Sequence, residues 1–253
     1  MRASRLVWSG LFFITLLLSA CDTSSVLPHW TYEGEEGPAH WGELDPSYAV
    51  CATGQNQSPI DIADPAEQDL PNISFHYQPS KLNILNNGHT VQVNYDAGSY
   101  IELDNTRYDV RQFHYHAPSE HTLNGEFFPA ELHLVHQSAE GSLAVVGILL
   151  QEGNENAAYE PFIRNLPAEE TEARDAGVTV DAMDLLPAQK TTFRYSGSLT
   201  TPPCTEEVNW LLITTPVELS AEQLEALGSI FEGGNNRPVQ PLHGRMLVED
   251  NTP

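Results

Sequence analysis

Two short runs of this sequence gather the side chains best suited to chemistry. One is Arg111-Gln112-Phe113-His114-Tyr115-His116, and the other is Ala130-Glu131-Leu132-His133-Leu134-Val135-His136. In an extended strand, residues two apart point to the same side. His114 and His116 therefore project together, with Phe113 and Tyr115 turned the other way. Glu131, His133 and Val135 likewise share one side of the second run. If the two strands are neighbours, three imidazoles converge on a point. Three neutral histidines with a fourth position open are the donor set of a catalytic rather than a structural zinc site.

The elements that must position these runs are strands. Short alternating or β-branched runs cover 90–94, 100–103, 108–116, 130–136, 143–150 and 208–214. Turn residues such as Asn86-Asn87-Gly88 and Ala97-Gly98 separate them, the pattern of a predominantly β domain. Two helices are expected. Ser220-Ala221-Glu222-Gln223 is a capping box, followed by Leu224, Leu227 and Phe231 on one face and a Gly233-Gly234 stop. The second covers roughly 156–165. The stretch 152–184, with nine acids and two arginines, reads as a solvated face around helix and loop.

The 253 residues hold 11 Lys+Arg against 35 Asp+Glu, a net charge of −24, with 40% hydrophobic residues. Length and composition suit one domain with a proper core. They exclude a nucleic-acid partner, which needs basic side chains to displace counterions from phosphates. No Lys or Arg occurs between Arg5 and Lys81, and Lys81 and Lys190 are the only lysines. Such an acid-rich, lysine-poor composition resembles that of salt-adapted proteins.

The first residues read as an address. Arg2 and Arg5 precede an apolar run over 11–18, broken only by Thr15 and followed by Ser19, Ala20 and Cys21. That is the pattern of a secretory signal peptide, too short to span a bilayer comfortably. Leu18-Ser19-Ala20-Cys21 resembles a bacterial lipobox, and Asp22 resembles a signal for inner-membrane retention. Residues 1–21 are thus expected to be a signal peptide with a lipobox-like cleavage site, and 22–28 a short tether. The mature protein is expected to be exported, periplasmic or in the cell envelope, touching a membrane only through lipid at Cys21. Cleavage removes Arg2 and Arg5 and brings the charge to −26. With Cys21 assigned to the signal, Cys51 and Cys204 remain as a pair in an oxidising compartment, where a disulfide is expected.

Several spaced blocks together resemble the α-class carbonic anhydrases, in the type exported by bacteria. They are Asn56-Gln57-Ser58-Pro59-Ile60-Asp61-Ile62, Asn86-Asn87-Gly88-His89, Gln112-Phe113-His114-Tyr115-His116 and Ser119-Glu120-His121-Thr122. Further on come Ala130 to His136, Gly197-Ser198-Leu199-Thr200-Thr201-Pro202-Pro203-Cys204 and Asn235-Asn236-Arg237-Pro238-Val239-Gln240-Pro241-Leu242. The match runs in order from about 29 to about 248, so 29–253 is read as the catalytic domain. The resemblance implies a mainly β fold: a single domain on a large, mostly antiparallel twisted sheet with a few peripheral short helices.

The resemblance also implies Zn²⁺ held by His114, His116 and His133, and a zinc-bound hydroxide that attacks carbon dioxide to give bicarbonate. Gln112 and Glu131 correspond to the partners of the first and third ligands, and the partner of the second is expected to be the Gly244 carbonyl. Thr200 and Glu120 correspond to the gate that orients the nucleophile, with Thr201 along the same polar wall. Val135, Val145, Leu199, Val208 and Trp210 correspond to the apolar wall that holds carbon dioxide. His89 corresponds to the proton shuttle, with Tyr32, Asn87 and Gln92 at the polar positions of its relay. His121 is expected within the Glu131 network, while His29, His40, His76, His136 and His243 are expected to be structural or exposed. A homodimer is compatible with the resemblance. A catalytically silent module would lack part of the ligand, gate and shuttle set, and a hydrolase for bulky esters would need a wider pocket.

Overall fold

Alternating burial along the strands builds the frame. The strand Ser80–Asn86 buries every second residue, and Thr106–His116 buries Tyr108, Val110, Phe113 and Tyr115. The computed structural model describes residues 28–252. The signal segment 1–21, Cys21 and the tether as far as residue 27 lie outside the described residues.

Among the described residues, thirteen strands form one mixed sheet. Its main path runs from Thr171–Val180 at one edge through Ser80–Asn86, Val91–Asn94, Thr106–His116, Ala130–Ser138 and Leu143–Glu152. It continues through Glu206–Ile213, Thr192–Ser198 and Val248–Asp250 to Ala66–Glu67 at the other edge. Pairing is antiparallel except where Leu143–Glu152 meets Glu206–Ile213 and Val217–Leu219, and where Val248–Asp250 meets Ala66–Glu67. The sheet is therefore mostly antiparallel, with a parallel seam near its centre.

The two central strands are covered on both faces. One core takes Ile84, Val93, Phe113, Tyr115, Leu132, Leu134, Val146, Ile148 and Leu211. The other, smaller core takes Ile60, Ile62, Val145, Leu149, Tyr195, Val208, Trp210 and Leu212. Each fully buried Leu, Ile or Phe contributes about 1.5–3 kcal/mol, so these layers hold the sheet rigid. Leu132 and Leu134 anchor their strand in the first core, which leaves His133 between them facing the second.

Helices are short and peripheral: Trp41–Leu44, Val50–Thr53, Glu160–Ile163 and Ala221–Gly228. Ser220 and Gln223 form the reciprocal capping box at the start of the last one. That helix ends at Gly228, ahead of the Gly233-Gly234 pair, and the helix expected over 156–165 contracts to the single turn Glu160–Ile163. Thr171–Val180 is a ten-residue strand where a solvated loop was expected. It lies on the sheet edge with most side chains in solvent and two register shifts, so it lacks the alternation that betrays a half-buried strand. Cys51 and Cys204 are joined by a disulfide across a separation of 153 residues, packed with Trp41 and Tyr48 in a third small cluster.

Candidate active site

The sheet register brings the three histidines together. His133 pairs directly with His114, and Glu131 pairs with His116 on the neighbouring strand. Their ring centroids lie 5.1 Å (His114–His116), 5.2 Å (His114–His133) and 4.8 Å (His116–His133) apart. The next residue in the row is Gly147, opposite His133. A Cβ there would meet Leu212 Cδ1 at 2.6 Å and Glu131 Oε1 at 3.2 Å, so any side chain would press on Leu212 and on the Glu131 carboxylate.

Each ring has one nitrogen committed. His114 Nδ1 is 2.8 Å from Gln112 Oε1, His116 Nδ1 is 2.6 Å from the Asn235 carbonyl, and His133 Nε2 is 2.8 Å from Glu131 Oε1. All three partners are acceptors, so those nitrogens carry the protons. The lone pairs of His114 Nε2, His116 Nε2 and His133 Nδ1 are left to face one another. Ligand nitrogens of the three rings lie within 4.8 Å of one another. His116 Nε2 is buried with no hydrogen-bond partner. Burial, with repulsion from His116 and His133 added, holds His114 well below the usual imidazole range. Burial also lowers His133, and brings His116 down to about 4. Three neutral rings with converging lone pairs form a trigonal donor set of the kind that suits a borderline-soft divalent cation.

Behind the rings stands a closed network. Glu131 Oε2 accepts from the backbone N–H groups of Glu120 (2.9 Å) and His121 (2.8 Å). Its Oε1 accepts from His133 Nε2 and, at 2.7 Å, from His121 Nδ1. Burial pushes this carboxyl up, but His121 and His133 outweigh it and hold Glu131 well below the usual carboxylate range. His121 Nε2 then accepts from the Tyr195 hydroxyl at 2.6 Å, and Tyr195 accepts from Ser58 at 2.9 Å. His121, Glu131 and His133 also approach one another closely enough to resemble a metal site. Their facing atoms are already hydrogen-bonded to each other, which leaves that cluster no free donor set.

Glu120 sits over the histidines, fully buried. Its Oε1 accepts from the Arg237 backbone N–H at 2.9 Å, and its Oε2 lies 3.5 Å from His116 Nε2 and 4.0 Å from His133 Nδ1. Burial pushes the carboxyl up to about 7, opposed by His133, by a hydrogen bond from the Thr200 side chain and by the Arg237 N–H. A cation among the three imidazoles would lower it further. Thr200 is buried and Thr201 half-buried at the same wall. Val135, Val145, Leu199, Val208 and Trp210 fall in one apolar cluster beside the histidines. Trp210 stands edge-on to His133 at 4.9 Å and is fixed by its Nε1–H bond to the Ser198 carbonyl, 2.9 Å.

His89 follows a turn in which the Asn87 side-chain oxygen accepts from the His89 and Thr90 N–H groups, at 3.0 and 2.8 Å. Gly88 between them has φ +83°, a conformation glycine adopts without strain. The imidazole is half-buried and stacks face to face on Trp30, with centroids 3.7 Å apart and planes 10° apart. Burial and the His29 ring lower its pKa, while Glu170 acts in the opposite direction. Tyr32 has a buried hydroxyl without a partner. The other two positions expected for the relay are engaged locally: the Asn87 oxygen in its turn, and Gln92 Nε2 on Asn94 Oδ1 at 2.7 Å.

The carbonyl acceptor for His116 is that of Asn235, not Gly244. Asn235 is locked beside the ligand strand, its N–H on the Ala117 carbonyl and its Oδ1 on the Ala117 N–H, at 3.3 and 2.9 Å. Gly244 instead occupies a turn with φ +75°. Asn235, Arg237, Tyr195 and Ser58 also contribute to the site, although residue type and spacing did not single them out. Only their place in the motif blocks around 58 and 235–237, or at the edge of the 197–204 block, hinted at them.

Fold and site define a sheet-borne cluster of three histidines that could hold a metal ion, set beside the buried Glu120 carboxylate and an apolar wall. Residues 36–251 match the model of the eukaryotic-type carbonic anhydrase family. A carbonic anhydrase of Pectobacterium atrosepticum is 42% identical over 241 residues, covering 94% of this chain and 99% of that one. One from Nostoc is 43% identical over 251 residues, with coverage of 95% and 94%. The α-carbonic anhydrase of Thermovibrio ammonificans, solved with the inhibitor sulfanilamide, superposes with a TM-score of 0.85 at 44% identity, covering 87% of this chain and 99% of that one. The chain belongs to the α class of the carbonic anhydrase family, the carbonate dehydratases.

Proposed function

We propose that this chain catalyses the reversible hydration of carbon dioxide to bicarbonate and a proton, with Zn²⁺ held by His114, His116 and His133. The observation that carries this reading is the set of three converging lone pairs, with His116 Nε2 buried and unpartnered. Zinc bound to three histidines acts as a Lewis acid that brings a coordinated water to a pKa of about 7, the value known for carbonic anhydrases as a class.

The remaining work falls to the chain itself. Gln112, the Asn235 carbonyl and Glu131 hold the distal ring protons and so keep all three donor nitrogens aimed inward. Glu120 accepts a hydrogen bond from the Thr200 hydroxyl, which leaves the Thr200 oxygen as an acceptor for an attacking O–H. Ligands with no proton to offer are thereby disfavoured. Val135, Val145, Leu199, Val208 and Trp210 offer carbon dioxide a wall with no strong donors, so substrate is held weakly and product leaves readily. His89 takes up the proton released on hydration and delivers it to solvent, and an imidazole suits transfer in both directions near neutral pH. Export and the oxidising compartment fit the disulfide. We further propose lipid attachment at Cys21 in the cell envelope, and a homodimer.

Stopped-flow hydration of carbon dioxide, with zinc content measured on the same sample, tests the reading. Activity that disappears with chelation and returns with stoichiometric zinc is expected. A zinc-free preparation hydrating carbon dioxide at full rate would refute it.

A further inference from the structure

Arg237 is a buried cation that forms no ion pair among the described residues. It is 1% exposed, and its guanidinium donates to Gln57 Oε1 (2.9 Å), the Ser58 carbonyl (2.8 Å) and the Cys51 carbonyl (3.0 Å). Its centre lies 5.6 Å from the Trp41 ring, and its Nε has no partner. Burying a guanidinium among neutral acceptors is costly, and an apolar residue of similar size would commonly stabilise the fold as well or better. Desolvation outweighs the attraction of the Glu120 carboxylate, so fold stability alone gives little reason for an arginine here.

The backbone attached to that side chain supplies one. Within three residues, the loop 235–237 offers the Asn235 carbonyl to His116 Nδ1 at 2.6 Å and the Arg237 N–H to Glu120 Oε1 at 2.9 Å. One contact fixes the protonated nitrogen of a candidate metal ligand, and the other fixes the orientation of the gate carboxylate. Neither can be tuned by a side chain, because both are backbone groups and move with the loop. The guanidinium clamps that loop to three points, 51, 57 and 58, which lie about 180 residues away in sequence. A planar fork with five donors can satisfy three acceptors in divergent directions, and a lysine ammonium at the end of a flexible stem cannot reproduce that geometry.

We propose that Arg237 is a positioning residue for the metal centre: its clamp on Cys51, Gln57 and Ser58 holds the 235–237 backbone where it orients both His116 and Glu120. This rests on the zinc reading given above. The clamp also connects the disulfide segment to a ligand, since the carbonyl of Cys51 itself is one of the three anchors.

The test measures zinc release from the loaded full-length protein into excess chelator, for wild type, Arg237→Lys and Gln57→Leu. Gln57→Leu removes one anchor and leaves Arg237 in place, so it serves where the arginine variant does not fold. Melting temperatures are recorded alongside. Tyr159→Phe is the control: it removes a buried hydroxyl bonded to Leu185 in the larger core, outside the hydrogen bonds of the Arg237 clamp. Loss of an outer partner of a metal ligand typically weakens binding about 10- to 100-fold. Arg237→Lys is expected to release zinc at least about tenfold faster, Gln57→Leu about threefold faster, and Tyr159→Phe at the wild-type rate despite its lower melting temperature. Release from Arg237→Lys within twofold of wild type would overturn the proposal, as would equal acceleration in Tyr159→Phe. A wild-type chain that retains no zinc would overturn the zinc reading and this inference with it.

Discussion

The disulfide between Cys51 and Cys204 invites a quantitative test. The crosslink spans 153 residues. In the chain-entropy description, closing a loop of that length removes about 17 cal/mol/K from the denatured ensemble, or about 5 kcal/mol at 25 °C. Domains of this size are typically stable by about 5–15 kcal/mol, so the crosslink would supply a large fraction of the total. Urea unfolding followed by tryptophan fluorescence would compare oxidised protein, protein kept reduced throughout, and Cys51→Ala/Cys204→Ala, all at one free zinc concentration. With a urea slope of about 2.5 kcal/mol/M, the reduced chain is expected to unfold roughly 2 M earlier than the oxidised one. The double alanine variant falls slightly lower still, because both cysteines are buried and truncation removes packed sulfur. Oxidised and reduced midpoints within about 0.3 M at equal slopes would refute the argument that the crosslink acts on the denatured chain.

Replacing His89 with alanine should lower maximal turnover on the order of a hundredfold in weak buffer while leaving kcat/KM nearly unchanged. Added imidazole should restore the rate, and an unchanged rate in stopped-flow assays would remove His89 from the proton path. Acid stability offers a separate check at the far end of the sheet, where Asp250 is bonded to Arg194, to Thr252 and to the Leu70 N–H. Burial pushes Asp250 up, but the Thr252 and Leu70 hydrogen bonds together with Arg194 outweigh it and hold its pKa below the usual value. A carboxyl whose folded pKa is depressed stabilises the fold above its unfolded pKa, and that stability is lost as pH falls through the folded value. The melting-temperature gap between wild type and Asp250→Asn should therefore be full at neutral pH and shrink below about pH 4. A gap that does not change with pH would contradict this.

The candidate ligands were legible because their logic is local. His114 and His116 are two apart on one strand, and Glu131 and His133 two apart on the next, so the period of a strand alone places each pair on one face. The partner of His116 was not legible for a related reason. It is a backbone carbonyl, every residue has one, and only the folded loop selects Asn235 over Gly244. Arg237, Tyr195 and Ser58 also reach the site from distant segments: 117 residues separate Arg237 from Glu120, and 137 separate Ser58 from Tyr195. No short-range pattern encodes contacts of that span. Among the elements, the 106–116 and 130–138 strands announced themselves through alternating apolar residues. Thr171–Val180 did not, because an edge strand in water needs no apolar side.

That edge strand bears on how the protein meets copies of itself. A free strand edge exposes unpaired N–H and C=O groups and can template another chain. Here one end of the sheet carries Glu172, Arg174 and Asp175 in solvent, and its pairing with Ser80–Asn86 slips twice along its length. At the opposite end the last strand, Ala66–Glu67, has only two residues. Neither edge offers a long, flat, uncharged ladder, and the net charge of −24 adds repulsion between copies. Growth of the sheet by strand addition is therefore disfavoured at both ends of its main path, where another copy would meet charge at one end and a two-residue strand at the other.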